Sequence, residues 1–221
     1  AEFYIMQNEH NNAEHSTSYE VNLATGAFLK MVFLSLHGGV IRNDIFLNFN
    51  EKHAECDLAG LYLTDSKQLM DNNIHVNHLV PDCTSNQLFK GILDDEGIAR
   101  FYGRINVAPD AQKTEAYQAN HNLLISDMAK AYTSPQLEIY ADDVKCSHGA
   151  TIGRLNEDEL FYMRTRGIPA AEARILQQKA FAYEVLEKIS NMELRERMLS
   201  LVERRLRGEF SHCSTCIRNC C

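Results

Sequence analysis

Residues 135–153 read Pro135-Gln-Leu-Glu-Ile-Tyr-Ala-Asp-Asp-Val-Lys-Cys-Ser-His-Gly-Ala-Thr-Ile-Gly153, and this stretch is the most informative part of the chain. Strand-forming residues alternate with polar ones in its first half, and Cys146 and His148 stand two positions apart near its end. Side chains at positions i and i+2 of a strand point to the same face of the sheet. We therefore expect the thiol and the imidazole to lie side by side, and both groups are soft or borderline metal ligands.

The two residues also have ordinary structural interpretations. A lone histidine on a strand is more often a hydrogen-bonded structural residue than a ligand, and Cys146 alone is typical of a small buried apolar side chain. Two ligands cannot complete a tetrahedral metal site. An intrinsic site would need further ligands from this chain, and a shared site would need them from a partner.

The pattern changes from extended to helical at Asn156. This residue can cap a first helix, with Glu159 at the reciprocal third position and Gly167 at the C-terminal end. Pro169 suits the first turn of a second helix, and the capping box Ser190-x-x-Glu193 predicts a third. Apolar residues recur at helical spacing in the second and third helices, namely Ile175, Ala182, Leu186, Ile189, Leu194, Met198, Leu201 and Val202.

Short extended segments separated by turn residues precede the helices, and this spacing predicts an all-β sandwich, barrel or solenoid. Val80-Pro-Asp-Cys83 recurs 28 residues later as Ala108-Pro-Asp-Ala111, a distance typical of stacked repeats. Two copies leave open the alternative of two similar turns in a sandwich. The predicted strands span residues 45–49, 58–63, 74–80, 87–93, 98–107, 122–125 and 137–141.

Composition excludes several classes of function. The net charge of −8 disfavours a general nucleic-acid binder, which needs a basic patch against phosphate. The longest apolar runs, such as Met31-Val-Phe-Leu34, are far too short to span a bilayer. The chain also lacks the Gly-x-x-x-x-Gly-Lys-Ser/Thr pattern of a Walker-type ATP site. Seven cysteines at scattered positions do not form a disulfide framework, which favours the reducing cytosol.

Three other groups of residues could carry chemistry. His75 and His78 lie three apart, so on a regular strand they face opposite sides and are expected to be structural. The acidic runs Asp94-Asp-Glu96 and Asp142-Asp143 fall in predicted turns and are expected to be solvated. The tail from Cys213 to Cys221 has one C-x₂-C pair that could grip zinc or a cluster, but a disordered or vector-derived tail is the favoured interpretation.

These motifs resemble the D-type branch of the SufB/SufD family, which belongs to the Suf iron–sulfur cluster assembly machinery. The resemblance covers roughly residues 20 to 190, and the B-type branch lacks the Cys-Ser-His-Gly-Ala-Thr run. Family members are about twice as long, so we expect this chain to match their C-terminal portion. The matching stretches are Asn77-His-Leu-Val-Pro-Asp-Cys-Thr-Ser85, Ala111-Gln-Lys-Thr114, Tyr117-Gln-Ala-Asn-His-Asn-Leu-Leu124, Leu137 to Thr151 and Leu160-Phe-Tyr-Met-Arg-Thr-Arg-Gly-Ile168.

The resemblance implies a right-handed parallel β-helix over residues 1–153, a small helical domain over 154–207 and a tail over 208–221 outside the family pattern. It implies a non-catalytic scaffold that pairs with a SufB-like paralogue and holds an iron–sulfur cluster transiently at their interface. His148 is then the primary interface residue and candidate metal ligand, and Cys146 is secondary. A SufC-like ABC ATPase would dock on the helices, through Leu160, Phe161, Tyr162, Arg164, Arg166 and Gly167.

Alternatives remain open at this point. The helices could instead form a cap that packs on the end of the β-helix. An exposed solenoid end is an unpaired edge, so the isolated chain could form a homodimer there. A β-helix enzyme acting on polysaccharide or acyl groups is the competing function, although neither an acidic calcium site with a basic groove nor tandem six-residue repeats are visible in the sequence.

Overall fold

Short strands of nearly equal length alternate between two parallel sheets. The computed structural model describes residues 1–209, which form a β-solenoid of about five turns followed by three helices. The strands of this region are β1 (Glu2–Asn8), β2 (Glu14–Leu23), β3 (Phe28–His37), β4 (Val40–Phe49), β5 (Glu55–Thr64), β6 (Leu69–His78), β7 (Thr84–Leu93), β8 (Ile98–Val107), β9 (Glu115–Leu124), β10 (Lys130–Ile139) and β11 (Lys145–Gly153).

Each strand pairs in parallel with the strand two positions along the chain. Within the described residues, the odd strands form a six-stranded sheet in the order β1-β3-β5-β7-β9-β11, and the even strands form a five-stranded sheet. Consecutive turns place Val40, Leu69 and Ile98 in register, a repeat of 29 residues. The solenoid interpretation is therefore confirmed, and the two similar turns at Pro81 and Pro109 are corners of successive coils.

The predicted strands from residue 45 onward all fall in observed strands, some extending a residue or two past them. The structure adds β1, β2 and β3, which the sequence patterns did not predict. In β3 the residues Met31 to Leu36 are buried without alternation, because both faces of the six-stranded sheet are covered. Inward side chains fill the solenoid, and outward ones of the same sheet meet the helices.

Two glycines of the six-stranded sheet pack directly against aromatic rings on the neighbouring strand. Gly60 faces the ring of Phe89, and a Cβ at position 60 would lie 2.3 Å from that ring. Gly91 faces the ring of Tyr62 in the same way, with 2.1 Å available. Interiors pack to crystal-like density, so these two positions accept no side chain without displacing an aromatic ring.

Three helices follow β11: α1 (Glu157–Thr165), α2 (Ala170–Leu186) and α3 (Met192–Leu206). They pack along the outer face of the six-stranded sheet, where their apolar side chains form a second core with outward residues of β3, β5, β7 and β9. The helices therefore cover the flank of the solenoid, and the alternative in which they pack on its end is wrong. No helix within residues 1–209 has the length and apolar content needed to cross a membrane.

The helix boundaries follow the predicted caps with two corrections. The Asn156 side chain accepts hydrogen bonds from the N–H groups of Asp158 and Glu159, and Gly167 ends α1 at φ +86°. Glu159, however, accepts from the Asn156 side-chain amide instead of the expected backbone N–H. The cap of α3 is Asn191, whose side chain accepts from the Leu194 N–H.

Ser190 was predicted to cap α3 and instead ties the helical layer to the first strand. Its hydroxyl donates to Glu2 at 2.9 Å and accepts from Lys30 at 2.8 Å. The Ser190 N–H donates to the Tyr4 hydroxyl. Ser and Asn are both good caps, and because Ser190 is engaged in these tertiary contacts, the adjacent Asn191 caps α3.

Candidate functional site

The last turn of the solenoid ends in an open strand edge. β11 pairs with β9, and no other strand of the described region pairs with its second edge. The Lys145 N–H donates to the Thr114 carbonyl, toward β9. Because backbone polar groups point to alternate sides along a strand, those of four residues face the free edge: Cys146, His148, Ala150 and Ile152.

Cys146 and His148 share the inward face of β11, as their spacing predicts. Cys146 is half-buried and packs against the solenoid core, and strand alternation puts His148 on the same side. Burial raises the pKa of the Cys146 thiol, which disfavours the thiolate that binds metals. His148 is exposed because nothing in residues 1–209 lies beyond β11 on this column.

The layer beneath His148 is polar. Gln118 is its register partner on β9, and Gln87 on β7 is the register partner of Gln118. The Gln118 Nε2 donates to the Gln87 Oε1 at 2.9 Å inside the solenoid. Both glutamines are buried, so His148 closes a column of polar side chains in a mainly apolar interior.

The same end of the solenoid exposes apolar groups. Tyr132, Ile139 and Ile152 are all exposed on β10 and β11, and Tyr140 follows β10 at the corner. On β10 the inward positions include Pro135 and Leu137, which lie in register with Gly103 and Ile105 of β8. An apolar end with free backbone groups is a template for pairing with another chain.

No group of three or more His, Cys, Asp or Glu that could hold a metal occurs within the described residues. His75 and His78 lie on opposite faces of β6, as predicted: the His75 ring stacks on Phe46 outside, and the His78 ring stacks on Phe49 inside. Burial lowers the pKa of His78 to about 3. The cysteine tail from residue 213 lies outside the described residues, so neither the favoured interpretation of a disordered or vector-derived tail nor the alternative of a metal site is tested.

The acidic runs lie at corners. Asp142 and Asp143 are exposed between β10 and β11, and Asp95 turns between β7 and β8 with a positive φ of 48°. They are accessible turn residues, as expected from their sequence context.

The predicted ATPase-docking residues divide between core and surface. Leu160 is 5% exposed and belongs to the core between the helices and the sheet. Phe161 and Tyr162 are 68% and 58% exposed, and the Arg166 guanidinium lies over the Tyr162 ring and donates to its hydroxyl at 3.0 Å. The docking prediction therefore depends on the other five residues, since Leu160 supports the helix from below.

A shallow groove of about 480 Å³ opens beside this surface, between α1 and α2. Its walls carry mostly apolar atoms, with the carboxylates of Asp158 and Glu159 at one side. Tyr162, Met163, Leu176, Gln177 and Ala180 complete the lining. Exposed aromatic rings next to an apolar groove are typical of protein interfaces.

Sequence reasoning missed Gln118 as a site residue. The segment that contains it, Tyr117 to Leu124, is noted in the sequence only as a match to the family. Its place under His148 depends on the pairing of β9 with β11, which no local pattern encodes. A repeat alignment of the two strands at the solenoid period is the one signal that could have found it.

The fold and the open end define a class of protein, a parallel β-solenoid with a helical layer on one flank and, within residues 1–209, an unpaired edge on its last strand. The family description "SUF system FeS cluster assembly, SufBD core domain" matches residues 1–181. The chain belongs to the SufBD family of iron–sulfur cluster assembly proteins, which confirms the resemblance seen in the sequence.

Individual relatives agree with this assignment. The chain is 39% identical over 173 residues to the Escherichia coli iron–sulfur cluster assembly protein SufD, covering 78% of this chain and 41% of that protein. It is 32% identical over 203 residues to the Mycobacterium tuberculosis SufBD family protein Rv1462, covering 88% and 51%. It is 36% identical over 170 residues to the chloroplastic Arabidopsis thaliana protein ABCI7, covering 76% and 35%. The chain thus spans about half or less of the length of these curated relatives.

Proposed function

We propose that this chain is a scaffold subunit that meets a SufB-like paralogue at the open end formed by β10 and β11. Four residues of β11 direct outward backbone groups that pair with no strand of residues 1–209, and apolar side chains are exposed beside them. A strand added at such an edge gains main-chain hydrogen bonds and covers the apolar end. When the paralogue is absent, a second copy of the chain can cover the same edge.

His148 is the residue that we assign to the cluster at this boundary. Its backbone faces the free edge and its side chain belongs to the exposed end of the inward column, so a partner strand would enclose the imidazole between two chains. Iron–sulfur clusters are held mainly by cysteine thiolates, with imidazole as an alternative ligand. The partner would therefore supply the remaining ligands, and the cluster is cargo that leaves the scaffold.

Cys146 takes the secondary role in this proposal. Its side chain packs on the core and burial raises its thiol pKa. Both properties favour the neutral thiol over the thiolate ligand. The exposed imidazole is thus the better donor of the pair, and Cys146 serves mainly to close the core beside it.

The helical layer is the proposed docking surface for a SufC-like ABC ATPase. Phe161, Tyr162, Arg164, Arg166 and Gly167 are exposed on or just after α1, next to the groove with apolar walls. Aromatic and arginine side chains dominate the energetics of many interfaces. In this proposal the ATPase hydrolyses the nucleotide, and this chain transmits the resulting movement without catalysing a reaction. We expect the assembly to work in the cytosol.

One observation carries the proposal, namely that an exposed histidine occupies the free edge of the terminal strand. The test is a His148→Ala variant expressed with its paralogue and ATPase, followed by anaerobic purification and iron and sulfide analysis. We expect an intact complex whose cluster formation falls at least about tenfold, the scale of losses at metal sites.

His15 provides the matched control. It lies on the inward face of β2, the edge strand of the five-stranded sheet at the other end of the solenoid from β11. His15→Ala should leave cluster formation unchanged. Undiminished cluster formation by His148→Ala, with the complex intact, would contradict the assignment.

A further inference from the structure

We propose that Gln118 is the positioning residue for His148, holding the imidazole in one tautomer through its side-chain carbonyl. The inference rests on the proposed function of His148 and adds the residue that leaves one nitrogen of its ring free to bind metal. The key juxtaposition is a column of three inward side chains, Gln87, Gln118 and His148, that stack in register on β7, β9 and β11.

Hydrogen bonding in the column is incomplete at both glutamines, and at Gln118 the group left over is an acceptor. Gln118 is 3% exposed, and its Nε2 donates to the Gln87 Oε1 at 2.9 Å. Its Oε1 is buried and has no hydrogen-bond partner among residues 1–209. Because Nε2 is used by Gln87, Oε1 is the group of this amide that remains for a donor from the neighbouring layer of β11.

The opposite end of the column offers no comparable partner. The layer beneath Gln87 is Leu58, which is fully buried and has no polar side-chain atom. Leaving a buried carbonyl without a donor is unfavourable, and His148 is the register neighbour that can supply one. Gln87 also has an unmet group, the donor Nε2, so the two ends differ in kind: the unmet donor belongs to Gln87, and the unmet acceptor belongs to Gln118, the register neighbour of His148.

The Gln118 amide is fixed by the opposite sheet. Gly103 on β8 faces it so closely that a Cβ there would lie 2.4 Å from Nε2, 2.7 Å from Cδ and 2.8 Å from Oε1. The amide thus spans the interior and rests against the β8 backbone, where only glycine leaves room. A side chain confined in this way presents its carbonyl at one place, which is what an orienting group requires.

Orientation matters because a neutral imidazole has one N–H and one lone pair, and the hydrogen bond of one nitrogen decides the state of the other. An N–H donated to the Gln118 carbonyl leaves the second nitrogen unprotonated and free to bind metal. Metal-binding histidines are commonly held in this manner by a carbonyl or carboxylate. The exposed ring reaches this bond when a partner covers the end and excludes competing water.

The test compares Gln118→Met with Gln87→Met in the complex with the paralogue. Both substitutions are of similar size and break the same amide–amide bond, so their effects on folding are matched. Only Gln118→Met removes the acceptor under His148. The tautomer is read from ¹⁵N signals of the labelled histidine rings at a pH where they are neutral, with His148→Gln used to assign the signal.

We expect the wild type and Gln87→Met to show one His148 tautomer, with two well-separated ring nitrogen signals. Gln118→Met should show averaged signals, and its cluster formation should fall about tenfold while Gln87→Met stays close to wild type. Equal behaviour of the two variants would overturn the role of Gln118. Normal cluster formation by His148→Ala would instead refute the proposed function itself, so the two failures are distinguishable.

Discussion

Arg205 on α3 is the clearest point at which to perturb the attachment of the helices to the solenoid. Its side chain is 5% exposed and enters the sheet surface. The guanidinium donates to the Asp65 carboxylate at 2.6 Å, to the Leu36 carbonyl at 2.8 Å and to the Gln68 side chain at 3.4 Å. Arg205→Met keeps the length of the side chain and removes all three contacts.

The expected loss follows from what the substitution leaves behind. The Asp65 side chain is 14% exposed, and its Oδ1 already has no hydrogen-bond partner within the described chain. Removing one member of a buried ion pair typically costs about 3–5 kcal/mol, because the other charge stays buried. We therefore expect the free energy of unfolding of Arg205→Met to fall by about 3 kcal/mol or more.

The assay is equilibrium urea unfolding followed by circular dichroism, with hydrogen exchange of the α3 amides as a local measure. Arg207→Met is the control, because Arg207 forms exposed pairs with Glu172 and Glu203 and should be much less important. Adding Asp65→Asn to Arg205→Met should restore part of the stability. If Arg205→Met and Arg207→Met unfold at the same urea concentration, Arg205 does not stabilise the attachment of α3 to the solenoid.

Three further outcomes are expected. Gly91→Ala places a Cβ 2.1 Å from the Tyr62 ring and should lower the free energy of unfolding by about 1–3 kcal/mol, measured by thermal or urea unfolding. Gly149→Ala is the control and should leave stability unchanged, because no described atom lies within 4 Å of the added Cβ. Burial lowers the pKa of His78 from 6.5 to about 3, so between these pH values the unfolded state binds a proton that the folded state does not. The free energy of unfolding should therefore be at its full value above pH 6.5 and should decrease as the pH falls toward 3. His78→Gln should flatten this pH dependence in urea unfolding. Phe161→Asp should weaken ATPase binding about tenfold or more in a pull-down or titration, while Tyr183→Asp on α2 should not; equal binding by both would count against the docking surface.

Capping residues in the sequence correctly predicted where the first helix begins and ends. Asn156 and Gly167 mark the ends of α1 because capping is decided by a few neighbouring residues. Ser190 shows the limit of such signals, since its side chain is drawn to Glu2 and Lys30 from the far end of the chain. A capping motif cannot anticipate a competing tertiary partner.

The packing of the helices could not be predicted for a related reason. Helical periodicity identifies an apolar face, but it does not say which surface that face covers. Residues Met31 to Leu36 of β3 lack the alternation of a half-exposed strand because the helices cover their outer side. A run of this kind does not have the period-2 pattern that predicts a strand, and its cause is visible only in the folded structure.

The candidate site was partly visible in the sequence. The two-residue spacing of Cys146 and His148 correctly predicted a common face, since strand geometry is local. The acceptor beneath the imidazole was not visible, because Gln118 precedes His148 by a full turn of the solenoid. Register between distant strands brings them together, and one sequence without its relatives does not reveal that register.

Amide hydrogen exchange on β11 tests most directly whether the terminal strand is a docking edge. In the free chain, the amides of Cys146, His148, Ala150 and Ile152 should exchange quickly, while those of Ser147, Gly149 and Thr151, directed at β9, should be protected. Binding of the SufB-like partner should protect the first set and leave the second set as it was. Unchanged fast exchange of the first set in a saturated complex would contradict the account.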